Sequence, residues 1–123
     1  MHRALRLAAL AAALFALAGC EATPQERRSD RPDAAYFSAR PARAVAACIA
    51  ERWEPQLRQR NFDAPDFRPI QNGWTVVLYA RSQGMIGSFV DVKDTPGGSS
   101  SAVFLSRLDG VVIDLRMIAA ACQ

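Results

Sequence analysis

The sequence contains one histidine and one lysine, and it has no apolar run long enough to cross a membrane. The histidine is His2 and the lysine is Lys93. The longest apolar run, residues 7–18, has 12 residues, whereas a membrane-spanning helix needs about 20. Because His2 lies in a segment that we expect to be removed, histidine catalysis and most zinc sites are excluded.

The chain is also short and carries little net charge. Its 123 residues allow one small domain, which excludes a multidomain enzyme. The formal charge of +3 comes from 15 basic and 12 acidic residues, and without Arg3 and Arg6 it falls to +1. We therefore expect no nucleic-acid partner.

The first 20 residues have the pattern of an export signal. Arg3 and Arg6 form a short basic region before the apolar run, which is typical of a secretory signal peptide. The run leads into Leu17-Ala18-Gly19-Cys20, which places an apolar residue and two small residues before a cysteine. This tetrapeptide resembles the lipobox of bacterial lipoproteins. The alternative is an ordinary signal peptide in which the cysteine has no special role.

The lipobox resemblance implies cleavage after Gly19 and attachment of lipid to the sulfur of Cys20, which makes residues 1–19 a signal peptide. Two or more acyl chains give stable anchoring, so the membrane is the first expected partner. Glu21, rather than aspartate, follows the cysteine. By the same resemblance, the expected location is the outer membrane, with the domain facing the periplasm.

Residues 20–34 are expected to form a lipidated flexible tether ahead of a domain at residues 35–123. The segment is polar, contains Pro24 and Pro32 and lacks apolar periodicity, so it buries too little surface to offset its ordering entropy. As a random coil it reaches roughly 20 Å. Its arginines have acidic neighbours, which favours a solvated linker over contact with anionic lipid or cell-wall polymer.

The domain is predicted to begin with a helix that ends at a proline. Ser38 is the expected N-cap, and Pro41 suits the first turn. Apolar residues then recur at steps of three and four as far as Trp53, which is the spacing of one helical face. Pro55 is expected to end the helix because the preceding residue is biased away from helical angles. Residues 56–66 look irregular.

From Phe67 onward the apolar residues alternate as in β-strands. Strands are predicted at residues 67–71, 74–80, 85–93 and 99–107. Asn72-Gly73 is the expected type I′ hairpin turn, since both its central positions need positive φ. Residues 110–121 fit either a strand or a helix, and the alanine-rich stripe favours a helix with Asp109 as its cap. The sequence therefore predicts an α+β fold, a small two-layer domain with an N-terminal helix, a three- to four-stranded antiparallel meander sheet and a C-terminal helix.

Two cysteines, Cys48 and Cys122, remain if Cys20 carries lipid. In an oxidising periplasm a single leftover pair is expected to form a disulfide. The bond would connect the first predicted helix to the last one. The alternative is a pair of buried free thiols.

Few residues suggest catalysis. Asp63 and Asp66 are the best candidates because glycosidases use carboxylate pairs, although acids three residues apart are common on solvated surfaces. Lys93 is expected at an exposed strand end. The serines at 99–101 lack the lysine and helix of a P-loop and are expected in a flexible hairpin turn. We expect no enzymatic activity, no metal and no cofactor.

The two tryptophans are the largest apolar side chains. Trp53 is expected to pack in the core. Trp74 begins a strand beside a turn and is expected to be half exposed, where it could form a protein-binding spot with Arg81. The favoured alternative is packing in the core or at its rim.

The order of these motifs resembles that of small proteobacterial lipoproteins. Such proteins carry a Cys-Ile-x-x-x-Trp helix, a Gly-Trp/Tyr-x-Val strand and a C-terminal Ala-Cys-Gln. The matching residues here are Cys48, Ile49, Trp53, Gly73-Trp74-Thr75-Val76 and Ala121-Cys122-Gln123. The resemblance transfers no activity.

Taken together, these features predict a lipid-anchored protein of the cell envelope with a non-catalytic binding or structural role. The expected partner is another envelope protein or the cell wall. One alternative is an inhibitor of a cell-wall hydrolase, and another is a carboxylate-based hydrolase.

Overall fold

The computed structural model describes residues 24–80, 85–106 and 112–123. Within these ranges an antiparallel sheet carries helices at both ends of the chain, which confirms the α+β prediction. Cys20, Arg81 and Asp109 lie outside them. The lipidation site, the arginine expected near Trp74 and the expected cap of the last helix therefore stay predictions.

In the described part of the chain, five antiparallel strands form one sheet. They are β1 (Ala34–Ser38), β2 (Asp66–Ile70), β3 (Gly73–Ala80), β4 (Met85–Thr95) and β5 (Gly98–Phe104). Their spatial order is β1-β5-β4-β3-β2, so β2 to β5 form the expected meander. The predicted count of three to four strands is too low, because β1 is five residues long and pairs with the distant β5. So short a run has no clear local signature.

Three helices complete the described ranges: α1 (Pro24–Arg28), α2 (Ala42–Gln59) and α3 (Val112–Ala121). Helices α2 and α3 pack on one face of the sheet and against each other. The prediction of a C-terminal helix rather than a strand is confirmed. Its buried residues include Leu115, Ile118 and Ala119, which share one helical face.

The start of α2 differs from the sequence prediction. Ser38 ends β1, and its hydroxyl accepts a hydrogen bond from the Arg40 amide at 3.0 Å. Pro41 occupies the N-cap position with extended angles, φ −64° and ψ 151°. The carboxylate of Asp94, at the far end of β4, accepts a hydrogen bond from the Ala42 amide at 3.0 Å. The cap is thus supplied by a residue distant in sequence, which local patterns do not reveal.

The end of α2 also differs, because the helix continues through Pro55 to Gln59. A proline inside a helix removes one hydrogen bond and costs about 3 kcal/mol. Trp53 and Leu57 lie on either side of the proline and are fully buried. Burial of each such side chain contributes about 1.5–3 kcal/mol, which offsets the loss.

The β2–β3 hairpin is confirmed, but its turn lies one residue earlier than predicted. Ile70 pairs with Gly73, so the turn residues are Gln71 and Asn72. Only Asn72 has a positive φ, 62°. A type I′ turn requires positive φ at both positions, so that assignment is wrong.

The core lies between the helices and the sheet. Trp53 is fully buried there, as predicted, and so are Ile49 and Val90. The sulfur atoms of Cys48 and Cys122 lie 2.11 Å apart, which confirms the predicted pairing. The disulfide joins α2 to the residue that follows α3, so it links the two helices that cover the core.

Two glycines lie at the β4–β5 turn, and an added Cβ atom has room at only one of them. The turn is Pro96-Gly97. The serines at 99–101 lie within β5, which agrees with the strand predicted at 99–107 and not with the flexible turn also expected for these serines. Gly98 has a φ of +151°, and a Cβ there would lie 2.0 Å from the carbonyl oxygen of Ser38. At Gly97 no described atom lies within 4 Å of such a Cβ.

We therefore expect Gly98→Ala to lower the free energy of unfolding by about 2–3 kcal/mol, because β1 and β5 must separate to admit the methyl group. Gly97→Ala is the matched control, and we expect a change below about 0.5 kcal/mol. Urea denaturation of both variants, followed by circular dichroism, measures the difference. Equal losses in the two variants would contradict the close approach of the two strands.

Candidate functional site

The face of the sheet opposite α2 and α3 is the candidate functional surface, which we call the second face. Side chains alternate between the two faces along each strand, and the strand register shows which residues share a face. The central residues of the second face are Thr75, Val77, Tyr79, Phe89, Asp91, Ala102 and Phe104.

An aromatic pair forms the apolar part of the second face. The rings of Phe89 and Phe104 stack with centroids 4.8 Å apart, and Val77 packs against them. Phe89 is fully buried and Phe104 is 5% exposed. Neither α2 nor α3 lies on this side of the sheet, so another part of the chain must cover the two rings.

That cover includes the N-terminal segment at residues 24–33, which contains α1 and which we call the strap. The sequence predicts a flexible, irregular tether here. The structure instead places a short helix at Pro24–Arg28 and holds the strap on the sheet through Arg27, Arg28 and Asp33. Polar contacts rather than an apolar face hold the strap on the sheet. Because such contacts have no regular spacing in the sequence, the sequence pattern did not indicate an ordered segment.

Arg28 makes a two-pronged contact with a buried carboxylate of the second face. Its Nε donates to Oδ2 of Asp91 at 2.6 Å, and its Nη2 donates to Oδ1 at 3.1 Å. Asp91 is only 4% exposed, while the Arg28 side chain is 25% exposed. Nη2 also lies 3.5 Å from the hydroxyl of Thr75. This two-pronged geometry is the strongest form of a guanidinium–carboxylate pair.

Arg27 and Asp33 attach the strap at two further points. Nη2 of Arg27 donates to the carbonyl oxygen of Leu105 at 2.7 Å. The Asp33 amide donates to the Val103 carbonyl at 2.8 Å, and its carboxylate accepts from the Leu105 amide at 2.8 Å. The strap therefore continues directly into the pairing of β1 with β5.

Both guanidinium groups also lie over one aromatic ring. The Cζ atoms of Arg27 and Arg28 are each 5.3 Å from the centroid of the Phe89 ring. A cation at this distance is attracted by the electrons of the ring face. Phe89 thus contributes apolar surface and an electrostatic contact to the same site.

A cleft of about 230 Å³ remains between the strap and the sheet. Asp30 and Pro32 line it from the strap, and Lys93 and Ser100 line it from the sheet. Arg28 and Asp91 form part of its wall. The cleft places an open volume beside the buried ion pair. Lys93 is exposed on β4, close to the position expected for it.

Trp74 is half-buried, on the same side of the sheet as the helices. Its ring stacks on Phe67 with centroids 4.8 Å apart, and the Cζ of Arg43 lies 5.2 Å from the ring centroid. The arginine beside it therefore comes from α2, distant in sequence. Arg81 lies outside the described residues, so the predicted Trp74–Arg81 spot stays a prediction.

The structure does not assemble the acidic candidates into one site. Asp63 is exposed in the connection between α2 and β2, and Asp66 is bonded to Arg68. Among the described residues, no three histidine, cysteine or acidic side chains group as metal ligands. Sequence reasoning missed the second face, where Asp91 stands out in retrospect as an acid inside an apolar strand.

A second, shallower groove of about 360 Å³ lies between α2 and α3. Arg52 and Gln56 line one side, and Met117 and Ile118 line the other. Met117 is 67% exposed. This groove offers an apolar rim but no charged group as buried as Asp91.

Comparison with known proteins gives no family assignment. No family model matches the chain, and neither a curated protein nor a solved structure matches it significantly. None of the helices within the described ranges is long and apolar enough to span a bilayer.

Proposed function

We propose that this chain is a lipid-anchored protein of the bacterial cell envelope whose domain binds another envelope component and catalyses no reaction. The proposal of an anchor rests on residues 17–20 and on the apolar run before them. The cysteine pair at 48 and 122 supports export, because such bonds persist in oxidising compartments. The proposed location is the outer membrane, with the domain facing the periplasm.

One observation carries the proposed binding role. The second face holds a carboxylate that is 4% exposed, Asp91, beside the stacked Phe89 and Phe104. In a two-layer α+β domain the helices cover one face of the antiparallel sheet, and the other face is normally polar and solvated. In this protein only the ten-residue strap covers the second face among the described residues, and no residue of its helix α1 is buried. Such a surface is suited to contact with a partner.

Lipid attachment is tested by labelling cells that produce the full chain with radioactive palmitate. We expect label to enter the wild-type protein and to be absent from Cys20→Ala, because the thioether requires this sulfur. The mature mass should lack residues 1–19. An unlabelled wild-type protein, or an intact mass that retains Met1, would end the lipoprotein proposal.

The binding surface is tested by placing a photo-crosslinking amino acid at either of two exposed positions. Phe37 is 82% exposed at the second-face side of β1, and Met117 is 67% exposed on α3. We expect the probe at position 37 to give a discrete adduct in intact cells, and the probe at position 117 to give none.

Mass spectrometry of the adduct identifies the partner. A cell-wall hydrolase would narrow the function to the inhibitor alternative. Adducts from position 117 alone would move the binding surface to the helical layer and contradict the proposal. Failure of both positions would argue against a binding role.

A further inference from the structure

We propose that the second face is a binding site for an arginine-bearing segment of a partner protein, and that the strap occupies this site as an internal ligand. The inference deepens the proposed binding function and rests on it. It names the chemistry of the partner segment, which is a pair of guanidinium groups presented on a short stretch of chain.

The first support is the set of hydrogen-bond acceptors that the sheet directs toward the strap. They are the carboxylate of Asp91, the carbonyl oxygens of Gly87 and Leu105 and the hydroxyl of Thr75. Two guanidinium groups fill these positions at once, because each has several donors in a fixed planar fork. An anionic ligand, such as a lipid phosphate, in the place of the two guanidinium groups would face the Asp91 carboxylate and two carbonyl oxygens.

The second support is the charge around the site. Lys93 is exposed, and Arg68, which pairs across from Thr75, is already bonded to Asp66 and to the hydroxyl of Tyr79. Neither cation is bonded to Asp91 in the structure. If the strap leaves, the Asp91 carboxylate loses its guanidinium partner, and any segment that covers the face again without supplying a cation buries this charge unpaired. An unpaired buried charge is costly, so the site favours occupation by a cation.

The third support is how weakly the strap is built. Helix α1 has five residues and none of them is buried, and helices this short have no stability of their own in water. Polar contacts, the ring contacts of two arginines and the pairing at Asp33 hold the strap in place. Contacts of this kind exchange with equivalent groups from another chain, whereas a buried apolar helix would have to unfold first.

The test uses the full chain, purified from membranes in detergent, and a fluorescent peptide with the sequence of residues 24–33. A matched peptide carries alanine in place of its two adjacent arginines. The main variant of the protein is the double substitution Arg27→Ala, Arg28→Ala, which removes both guanidinium groups from the carboxylate and carbonyl acceptors on the second face. Arg31→Ala is the control, because Arg31 is exposed in the same strap.

We expect the double variant to bind the arginine peptide about tenfold more tightly than the alanine peptide, as the loss of charged hydrogen bonds predicts. Wild-type protein and the Arg31→Ala variant should bind the arginine peptide at least about tenfold more weakly than the double variant does. In both proteins the attached strap competes for the site at an effective concentration in the millimolar range. Adding Asp91→Asn to the double variant should remove the preference for arginine.

A second measurement covers the case in which the double variant does not fold. Wild-type protein is exposed to several millimolar arginine peptide, and hydrogen exchange is followed at the Asp33 amide, which is bonded to Val103. We expect faster exchange with the arginine peptide than with the alanine peptide.

Equal affinity for the two peptides together with unchanged exchange would overturn the inference and leave the strap as a structural element. A crosslink from position 37 combined with this negative result would keep the proposed binding function and reject only the arginine chemistry. The two proposals therefore fail separately.

Discussion

Loss of the Cys48–Cys122 disulfide is expected to lower the free energy of unfolding by roughly 4.5 kcal/mol in the chain-entropy treatment of cross-links. The two cysteines are 74 residues apart in sequence, so the bond restricts most of the unfolded domain. Small domains have net stabilities of about 5–15 kcal/mol. The change therefore removes a large fraction of the total, and the Cys48→Ser, Cys122→Ser double variant should be close to the limit of stability at 37 °C.

Urea denaturation of oxidised wild type, reduced wild type and the double variant measures this effect. Reductant should lower the midpoint of the wild type and leave the double variant unchanged. Thiol titration of the denatured, non-reduced mature protein should find no free thiol. Two titratable thiols, or identical midpoints with and without reductant, would refute a stabilising bond.

Replacement of Trp53 by alanine is expected to lower the free energy of unfolding by about 3–5 kcal/mol. The side chain projects from α2 into the core and is fully buried, so its removal leaves a cavity there. Trp74→Ala is the comparison, because that ring is half-buried at the edge of the same core. We expect a loss of about 1–2 kcal/mol there, since less surface is buried and the site can relax.

Trp53→Phe separates the ring volume from the indole nitrogen. The Nε1 atom is buried without a hydrogen-bond partner among the described residues, so phenylalanine removes an unsatisfied donor while keeping most of the apolar contact. We expect it to recover more than half of the loss seen with alanine. Unfolding must be followed by circular dichroism, because the variants change the fluorescence. A Trp53→Ala variant within about 1 kcal/mol of wild type would contradict the central place of this side chain.

The strap also connects the proposed anchor to the proposed binding site. Four residue steps separate Cys20 from Pro24, and an extended chain covers at most about 15 Å over that distance. With lipid on Cys20 and the strap on the sheet, the second face would therefore lie close to the membrane. A partner segment that displaces the strap would add residues 24–33 to the free chain between the lipid anchor and the sheet. Binding of the partner would therefore increase the distance that the domain can move from the membrane.

Much of the fold follows from local patterns. The step of three and four residues that ends at Trp53 reports the buried face of α2, because one side of a surface helix must be apolar. The alternation in residues 74–80 and 85–93 reports β3 and β4 for the same reason. Pro55 misleads because a local rule about backbone angles is outweighed by the burial of Leu57 one turn beyond Trp53.

The candidate site was far less visible in the sequence. Arg28 and Asp91 are 63 residues apart, and neither residue belongs to a motif. Polar pairs have no period, so a run of charged residues at 24–33 has the composition of a solvated linker even when Arg27 and Arg28 each have partners on the sheet. The cap that Asp94 provides to α2 was missed for the same reason.

By itself, the sequence determined the α+β class, the order of the meander strands, the core position of Trp53 and the pairing of Cys48 with Cys122. These properties depend on apolar spacing and on residue counts, which a linear chain displays directly. Only the tertiary structure decided that β1 joins the sheet, that α2 passes through Pro55 and that the strap lies on Asp91. Each of these depends on contacts between residues distant in sequence or on the energy of burial, and neither is written in local composition.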